Sequence, residues 1–501
     1  MQNSAKHLTA ALIGFAVLVA TTLIFREWNR DIWATTLSFA YTLGFSAVLS
    51  IICLIIAVRH KKTRRYFISL SMVLICHTFA ELYIGLHDFL YGMNAAAAST
   101  LPIPEIAYLG ADVFFAALCA RLWYEEIEKT AVSSRKITAV STAAVLLIIA
   151  IGAVSFLGGY PVLSGILYLV SGAVILCYSA RFFFVPKAAA KPFLPIMAAI
   201  SIYAVYSTVL VFIFPLLPWA ADELTYYILT SPTMLIMLLC IPALVFAEEQ
   251  IEAAENKAAG CGAAEEKTAK EKTAEQETAN EKTARYSTGE KKPVRRFAFS
   301  KKNICLVLLF FLFGVLVCLL AGYVNSFIAG VFGISMVDSA IVAAPIAEEC
   351  LKAVPILLFF LWLRPDLKTM LPAAIAVGAG FALLETIQYA VMGYSAPAEI
   401  LLRLFSTCIM HATTVSLFAA SLWYVTQKGL TPSWFITVMC GFGIIAGGIT
   451  LHGCFNLLVN SAGVSHYIGF IIPIAVAAVY AVCFCIWNRK MKRAGEKKSE
   501  C

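Results

Sequence analysis

Two adjacent glutamates stand in an otherwise apolar run, with a lysine three and four residues further on: Pro-Ile-Ala-Glu348-Glu349-Cys-Leu-Lys352-Ala-Val-Pro. The run is long enough to cross a bilayer, and ionisable groups at that depth are costly, rare and usually functional. Three later apolar runs carry Glu385, His411 and His452. Carboxylates and imidazoles on neighbouring lipid-embedded helices are the parts needed to activate water away from bulk solvent. Helical spacing brings Glu348 and Glu349 within reach of Lys352 on one face. A helix-packing ion pair would explain Glu349 with Lys352, but not the histidines on later helices.

Phe381, Glu385 and Tyr389 recur at i, i+4 and i+8, Arg403 precedes His411 by two helical turns, and His452 and Asn456 are again i,i+4. Counted at ~1.5 Å per residue from the extracytoplasmic ends of their spans, Glu348 lies about 15 Å deep, His411 about 17 Å, and Glu385 and His452 about 12 Å. The helices alternate in direction, so sequence order does not force this agreement. One buried site is therefore expected, with Glu348, Glu349, Glu385, His411 and His452 catalytic and Lys352, Tyr389, Arg403 and Asn456 supporting.

Peptide hydrolysis needs an activated water, a stabiliser for the oxyanion and a proton for the leaving amine. Carboxyl groups that are buried and adjacent resist ionising together, so Glu348 and Glu349 can divide roles. The leading expectation is that no cofactor is required, with Asn456 orienting His452 toward the oxyanion. The alternative is zinc held by His411, His452 and Glu385, since three N/O ligands leave a position open. No HExxH motif is present.

The elements that must position these residues are membrane helices. The chain has 501 residues, 61% hydrophobic and only 14% charged, where a soluble domain carries about 25% charged residues. That composition implies an all-α polytopic membrane protein of about fourteen transmembrane helices in two bundles. Expected spans lie near 8–25, 33–57, 66–87, 104–124, 137–157, 160–184, 193–216 and 225–247, then 303–323, 338–363, 371–393, 400–426, 433–460 and 466–487. Basic loops such as Arg59–Arg65, and Arg489-Lys490 after the last span, fall on one side of this arrangement. Both termini are accordingly expected to be cytoplasmic. The formal charge of +8 is explained by these loops and implies no nucleic-acid partner. The fifteen cysteines lie mostly in apolar runs without CxxC spacing, as small core hydrophobes do.

Residues 248–302 break the pattern with tandem pentads such as Glu-Lys-Thr-Ala-Lys (266–270) and Glu-Lys-Thr-Ala-Arg (281–285). A five-residue repeat whose only apolar member is alanine cannot build a packed seam, so it reads as a charged cytoplasmic tether. The chain then divides into an N-terminal bundle (1–247) of unassigned role, the tether, a C-terminal bundle (303–490) and a basic cytoplasmic tail (491–501). The N-terminal bundle has its own intramembrane polar residues, among them His77, Glu81, Glu105 and Asp112, for which local interhelical hydrogen bonding is the expected role.

Four motifs in the C-terminal bundle resemble those of the PrsW-type intramembrane proteases. Glu348-Glu349-x-x-Lys352 resembles their EExxK. Phe381-x-x-x-Glu385-Thr386-x-x-Tyr389 resembles their FxxxENxxY, with Thr386 where asparagine is usual. Arg403 with His411, and His452-x-x-x-Asn456, are similar to their third and fourth motifs. The resemblance covers roughly 303–490 and extends distantly to the CAAX prenyl endopeptidase and bacteriocin-immunity superfamily. It implies an enzyme, a peptidase of glutamic or metallo type, that cleaves membrane-embedded protein substrates such as anti-sigma factors. The expected location is a bacterial plasma membrane.

A proton-coupled transporter or a non-catalytic membrane sensor could use the same midplane residues. A transporter would show related halves, whereas these two bundles differ in length and motif. For the catalytic base we expect Glu348→Gln or Glu349→Gln to slow proteolysis roughly 100- to 10,000-fold, read as cleavage of membrane peptides by mass spectrometry. Near wild-type cleavage in both single variants would remove the base from this pair.

Overall fold

The computed structural model describes residues 5–6, 8–17, 20, 32–60, 62–91, 102–127, 134–156, 162–185, 190–213, 232–256, 304–391, 397–425 and 434–499. The repeat-bearing part of the expected tether lies outside them, as do most of the expected extracytoplasmic loops at 88–103 and 217–224. Every extended element among the described residues is helical. The N-terminal helices are α1 (Leu8–Val17), α2 (Ile32–Arg59), α3 (Arg64–Tyr91), α4 (Pro102–Leu122), α5 (Ser134–Phe156), α6 (Val162–Arg181), α7 (Leu194–Phe212) and α8 (Pro232–Asn256). The C-terminal helices are α9 (Ile304–Phe332), α10 (Ala344–Leu363), α11 (Leu367–Val391), α12 (Pro397–Val425), α13 (Trp434–Val459) and α14 (Val464–Ser499). α14 continues through most of the residues expected to form a tail.

Among the described residues, 9 helices are long and apolar enough to cross a membrane. α10 is not one of them because Glu348, Glu349 and Lys352 all fall within its 20 residues.

Helix α9 shows how the bundle sorts its faces. Leu308, Leu312, Leu316 and Leu320, one turn apart, are exposed on the outside, as a lipid-facing stripe should be. Phe310, Gly314, Cys318 and Ala321 are buried on the inner face. A Cβ on Gly314 would strike the carbonyl of Val377, and one on Gly380 would strike that of Phe311. The α9 and α11 backbones therefore touch where they cross, the small-residue packing that membrane helices favour. At the next crossing a Cβ on Gly378 would lie 2.5 Å from the backbone nitrogen of Ala412. That contact sets α11 directly against the turn of α12 that bears His411.

The two bundles share packing. α13 lies between the C-terminal helices and the N-terminal helices α3 and α4. Gly443 of α13 faces the ring of Phe114, and Gly453 faces Ile103 and Tyr83. Tyr83 and Ile103 join Ile341, Ile449, Cys454 and Leu457 in one buried apolar cluster. A Cβ on Gly110 would meet that of Ala446 at 2.9 Å.

The crossing glycines make a direct test. Gly378→Ala adds one methyl into Ala412 backbone and should destabilise by about 1–3 kcal/mol. Gly330→Ala has open space around it and should leave stability unchanged or slightly raised. Thermal unfolding in detergent reads both, and equal midpoints for the two variants would remove the close crossing.

Candidate functional site: a buried glutamate–histidine–lysine cluster

The site begins where α10 begins. A π turn, Ser339–Ala343, leads into the helix, and Pro345 occupies its first turn. Such turns disturb the regular hydrogen-bond ladder and recur at functional sites. Glu348, Glu349 and Lys352 then fall on the buried side of the helix, one turn before Pro355.

Lys352 has no solvent exposure. Its ammonium donates to Glu349 Oε1 at 2.6 Å and to the Nδ1 of His411. It also sits over the ring of Phe381, 4.6 Å from the centroid. His452 donates from Nδ1 to the same Glu349 oxygen at 3.0 Å. His411 donates from Nε2 to Glu385 Oε2 at 2.8 Å. Arg403 comes within 3.7 Å of the other Glu385 oxygen and stacks over the Tyr389 ring at 3.6 Å. One polar chain therefore runs through α10, α11, α12 and α13, joining the nine residues singled out from sequence except Asn456 and Glu348.

These partners assign the imidazole tautomers. A carboxylate can only accept, so each histidine carries its proton on the nitrogen that faces its glutamate. That leaves a lone pair on His452 Nε2 and another on His411 Nδ1. The second faces Lys352. The first faces Glu348 Oε2 at 3.7 Å, and both of those atoms are buried without a hydrogen-bond partner. An orphaned carboxylate oxygen opposite an orphaned imidazole nitrogen is an arrangement that a cation completes. Glu348, His411 and His452 each offer a ligand atom, and these lie within 4.8 Å of one another. Two nitrogens and an oxygen form a donor set that suits zinc. The donors fit such an ion, provided that His411 exchanges its lysine contact for it.

Two expectations are corrected by this geometry. Among the described residues the carboxylate that groups with both histidines as a possible ion site is Glu348; Glu385 instead holds His411 from behind. Asn456 does not orient His452. Its amide donates to the carbonyl of Ala340 at 2.8 Å, inside the π turn, while Glu349 orients the imidazole. Thr386 hydrogen-bonds back to Ala382 of its own helix and stays out of the cluster.

One participant escaped the sequence reading. Asn325 on α9 donates from Nδ2 to Glu348 Oε1 at 3.2 Å. The signal was available: Asn325 continues the stripe of Phe310, Gly314, Cys318 and Ala321, and an amide on the inner face of so apolar a span calls for a partner. Of the N-terminal polar residues, Asp112 and Glu81 pair locally, while both ring nitrogens of His77 are buried without a hydrogen-bond partner and its ring packs edge-on to Tyr108. Asp112 accepts from Tyr203 at 2.8 Å and Ser171 at 2.9 Å, and Glu81 accepts from Tyr108 at 2.7 Å.

A helical membrane bundle with carboxylates, imidazoles and a cation buried together has the parts of an intramembrane hydrolase. Residues 302–485 match the family model of the PrsW family intramembrane metalloproteases. The match covers nearly the region over which the four motifs resemble that family, and supports membrane peptidase activity. No curated protein and no solved structure matches the chain.

The buried lysine offers a second test. Removing one partner of a buried ion pair leaves a bare charge and costs about 3–5 kcal/mol. We expect Lys352→Met to lower the thermal midpoint markedly and Lys352→Met/Glu349→Gln to recover part of that loss. A single variant as stable as wild type would mean that the pair does not hold the site together.

Proposed function

We propose that this chain is an intramembrane endopeptidase that hydrolyses peptide bonds of membrane-embedded or membrane-adjacent proteins. The observation that carries this reading is the pair of orphaned atoms, Glu348 Oε2 and His452 Nε2, facing each other inside a helical bundle. Their donor set, together with the description of the matched family, favours the metal-dependent form over the metal-free one. Glu348, His411 and His452 would hold the ion, and a zinc-class ion supplies a more acidic water and polarises the scissile carbonyl.

The remaining roles belong to the chain's own side chains. Glu349 fixes the His452 tautomer through Oε1, and Glu385 does the same for His411; such carboxylate partners orient ligating imidazoles and raise their basicity. Lys352 compensates Glu349 and holds it in place. Glu349 also borders a small cavity whose lining is mostly apolar, with Ala353, Val415, Phe418, Ile444 and Ile445 beside Thr414 and Gly448. Its second oxygen, Oε2, lies where a Cβ on Gly448 would be 3.7 Å away, on the cavity side. We assign Glu349, through Oε2, as the general base for the attacking water. Arg403 and Tyr389 keep Glu385 in position.

The substrate class that the family resemblance implies is a membrane-anchored regulator of the anti-sigma-factor kind. The one-sided distribution of basic loops supports a plasma-membrane protein with both termini cytoplasmic, and the family resemblance supports a bacterial one. The N-terminal bundle serves as a buttress for α13, and the charged tether joins it to the peptidase bundle.

Elemental analysis of the purified full-length protein, with activity before and after dialysis against a strong chelator, tests the metal. We expect stoichiometric zinc, activity lost on chelation and activity restored by zinc. Full activity in chelated, metal-free protein would move the chemistry to glutamates alone, with Glu348 as base. No cleavage of any membrane peptide, in wild type as in Glu348→Gln, would remove the protease reading.

A further inference from the structure

Orphaned buried polar atoms are rare, because each one costs the desolvation of its group. Among the described residues of the C-terminal bundle three such atoms lie at Glu348, while others belong to Arg403, Thr407 and Asn456. Besides Glu348 Oε2 and His452 Nε2, the amide oxygen of Asn325 is buried with no partner. Its nitrogen is committed to Glu348 Oε1. A carboxylate oxygen accepts and does not donate, so the amide nitrogen is the end that faces it, and the amide oxygen is left as a free acceptor beside the site. No donor among the described residues reaches that oxygen. A substrate backbone, by contrast, carries one N–H donor per residue, and these need partners once the chain has left water.

We infer that Asn325 has two functions, resting on the protease reading above. Through Nδ2 it is the positioning residue for Glu348. Through Oδ1 it accepts a backbone N–H of the substrate segment lying against the site. The placement on α9 supports this. The helix is anchored to α11 by Gly314 and Gly380, whose absent side chains let the two backbones touch. Asn325 lies three turns beyond Gly314 on the same face, so its height against Glu348 is set by a rigid crossing. Beyond it, Tyr323 and Phe327 on the flanking faces are exposed, so α9 is an outer wall of the site. An extended substrate segment unwinding against that wall meets an amide acceptor immediately before it meets Glu348.

The two functions have separate readouts in full-length protein. The first is zinc affinity, measured by titrating Zn²⁺ into metal-free protein; it needs no turnover. The second is KM for a membrane peptide substrate. Asn325→Leu keeps the approximate volume and removes both polar ends. It should weaken zinc binding about 10- to 100-fold, the usual effect of losing an outer-shell partner. It should also raise KM about three- to tenfold, the value of one hydrogen bond. Ser326→Leu is the control: this hydroxyl is exposed and bonds back to Gly322, and both readouts should stay within about twofold, well under the value of one hydrogen bond. If Asn325→Leu fails to fold, Asn325→Ser carries the same expectations with a side chain small enough for any packing.

A folded variant with zinc affinity and KM both at wild-type values overturns the assignment. Weakened zinc binding with unchanged KM overturns the substrate contact, and raised KM with unchanged zinc binding overturns the positioning of Glu348. Wild-type protein that cuts no peptide sinks the protease reading and the substrate contact with it, while the zinc titration still decides whether Asn325 positions Glu348.

Discussion

An ammonium group shut away from all solvent is the constraint on which the rest of the bundle depends. An unpaired charge in such surroundings costs several kcal/mol, so Lys352 must be met from every side. Glu349 meets it from its own helix, His411 from α12 and the face of Phe381 from α11. Because Glu349 also accepts from His452, α13 joins the same knot. The lysine thus converts four loosely associating apolar helices into one arrangement. Membrane helices gain little from hydrophobic contact with each other, since lipid is equally apolar. Specific polar contacts and close backbone crossings must then set their register. Lys352 supplies the first, and Gly314, Gly378 and Gly380 supply the second.

The same logic reaches into the N-terminal half. α13 presents His452 to Glu348 and Glu349 on one side and small residues to α3 and α4 on the other. A shift of α3 or α4 would therefore be felt by the imidazole through one rigid helix. The charged repeat suggested halves joined only by a tether, whereas among the described residues the wall behind His452 is built from the first half of the chain. Repeats and composition describe how segments are linked, whereas the faces of a buried helix decide what it touches.

That difference marks what was legible in the sequence. The helical class, the approximate positions of the described helices and the polar residues brought together, apart from Asn325, were readable, because charges in apolar runs and i,i+4 spacing are local properties. The residue matched to each partner was not. Glu348 and Glu385 have similar depth, and it is the packing of the helices that sets Glu385 against His411 and turns Glu348 toward His452. Asn456 reads as a natural partner for His452 one turn away, yet the π turn offers it the freed carbonyl of Ala340. Asn325 was legible in principle, as the polar member of a small-residue stripe, but carried no motif to draw the eye.

Charge balance ties these points to the chemistry. The cluster holds three carboxylates, Glu348, Glu349 and Glu385, and two fixed cations, Lys352 and Arg403. The tautomers assigned above count both imidazoles as uncharged, each with one lone pair turned inward. One negative charge is then left over, and Lys352 already serves Glu349 while Arg403 serves Glu385. The excess therefore rests on Glu348, the carboxylate with an unpartnered oxygen. In lipid it must be balanced either by a proton on Glu348 or by a cation shared with His452. The two exclude each other at that oxygen, so ion binding would release a proton and weaken with acidity. A single carboxylate thereby links the metal-dependent and metal-free forms of hydrolysis, and Asn325, holding its other oxygen, is placed to bias the choice.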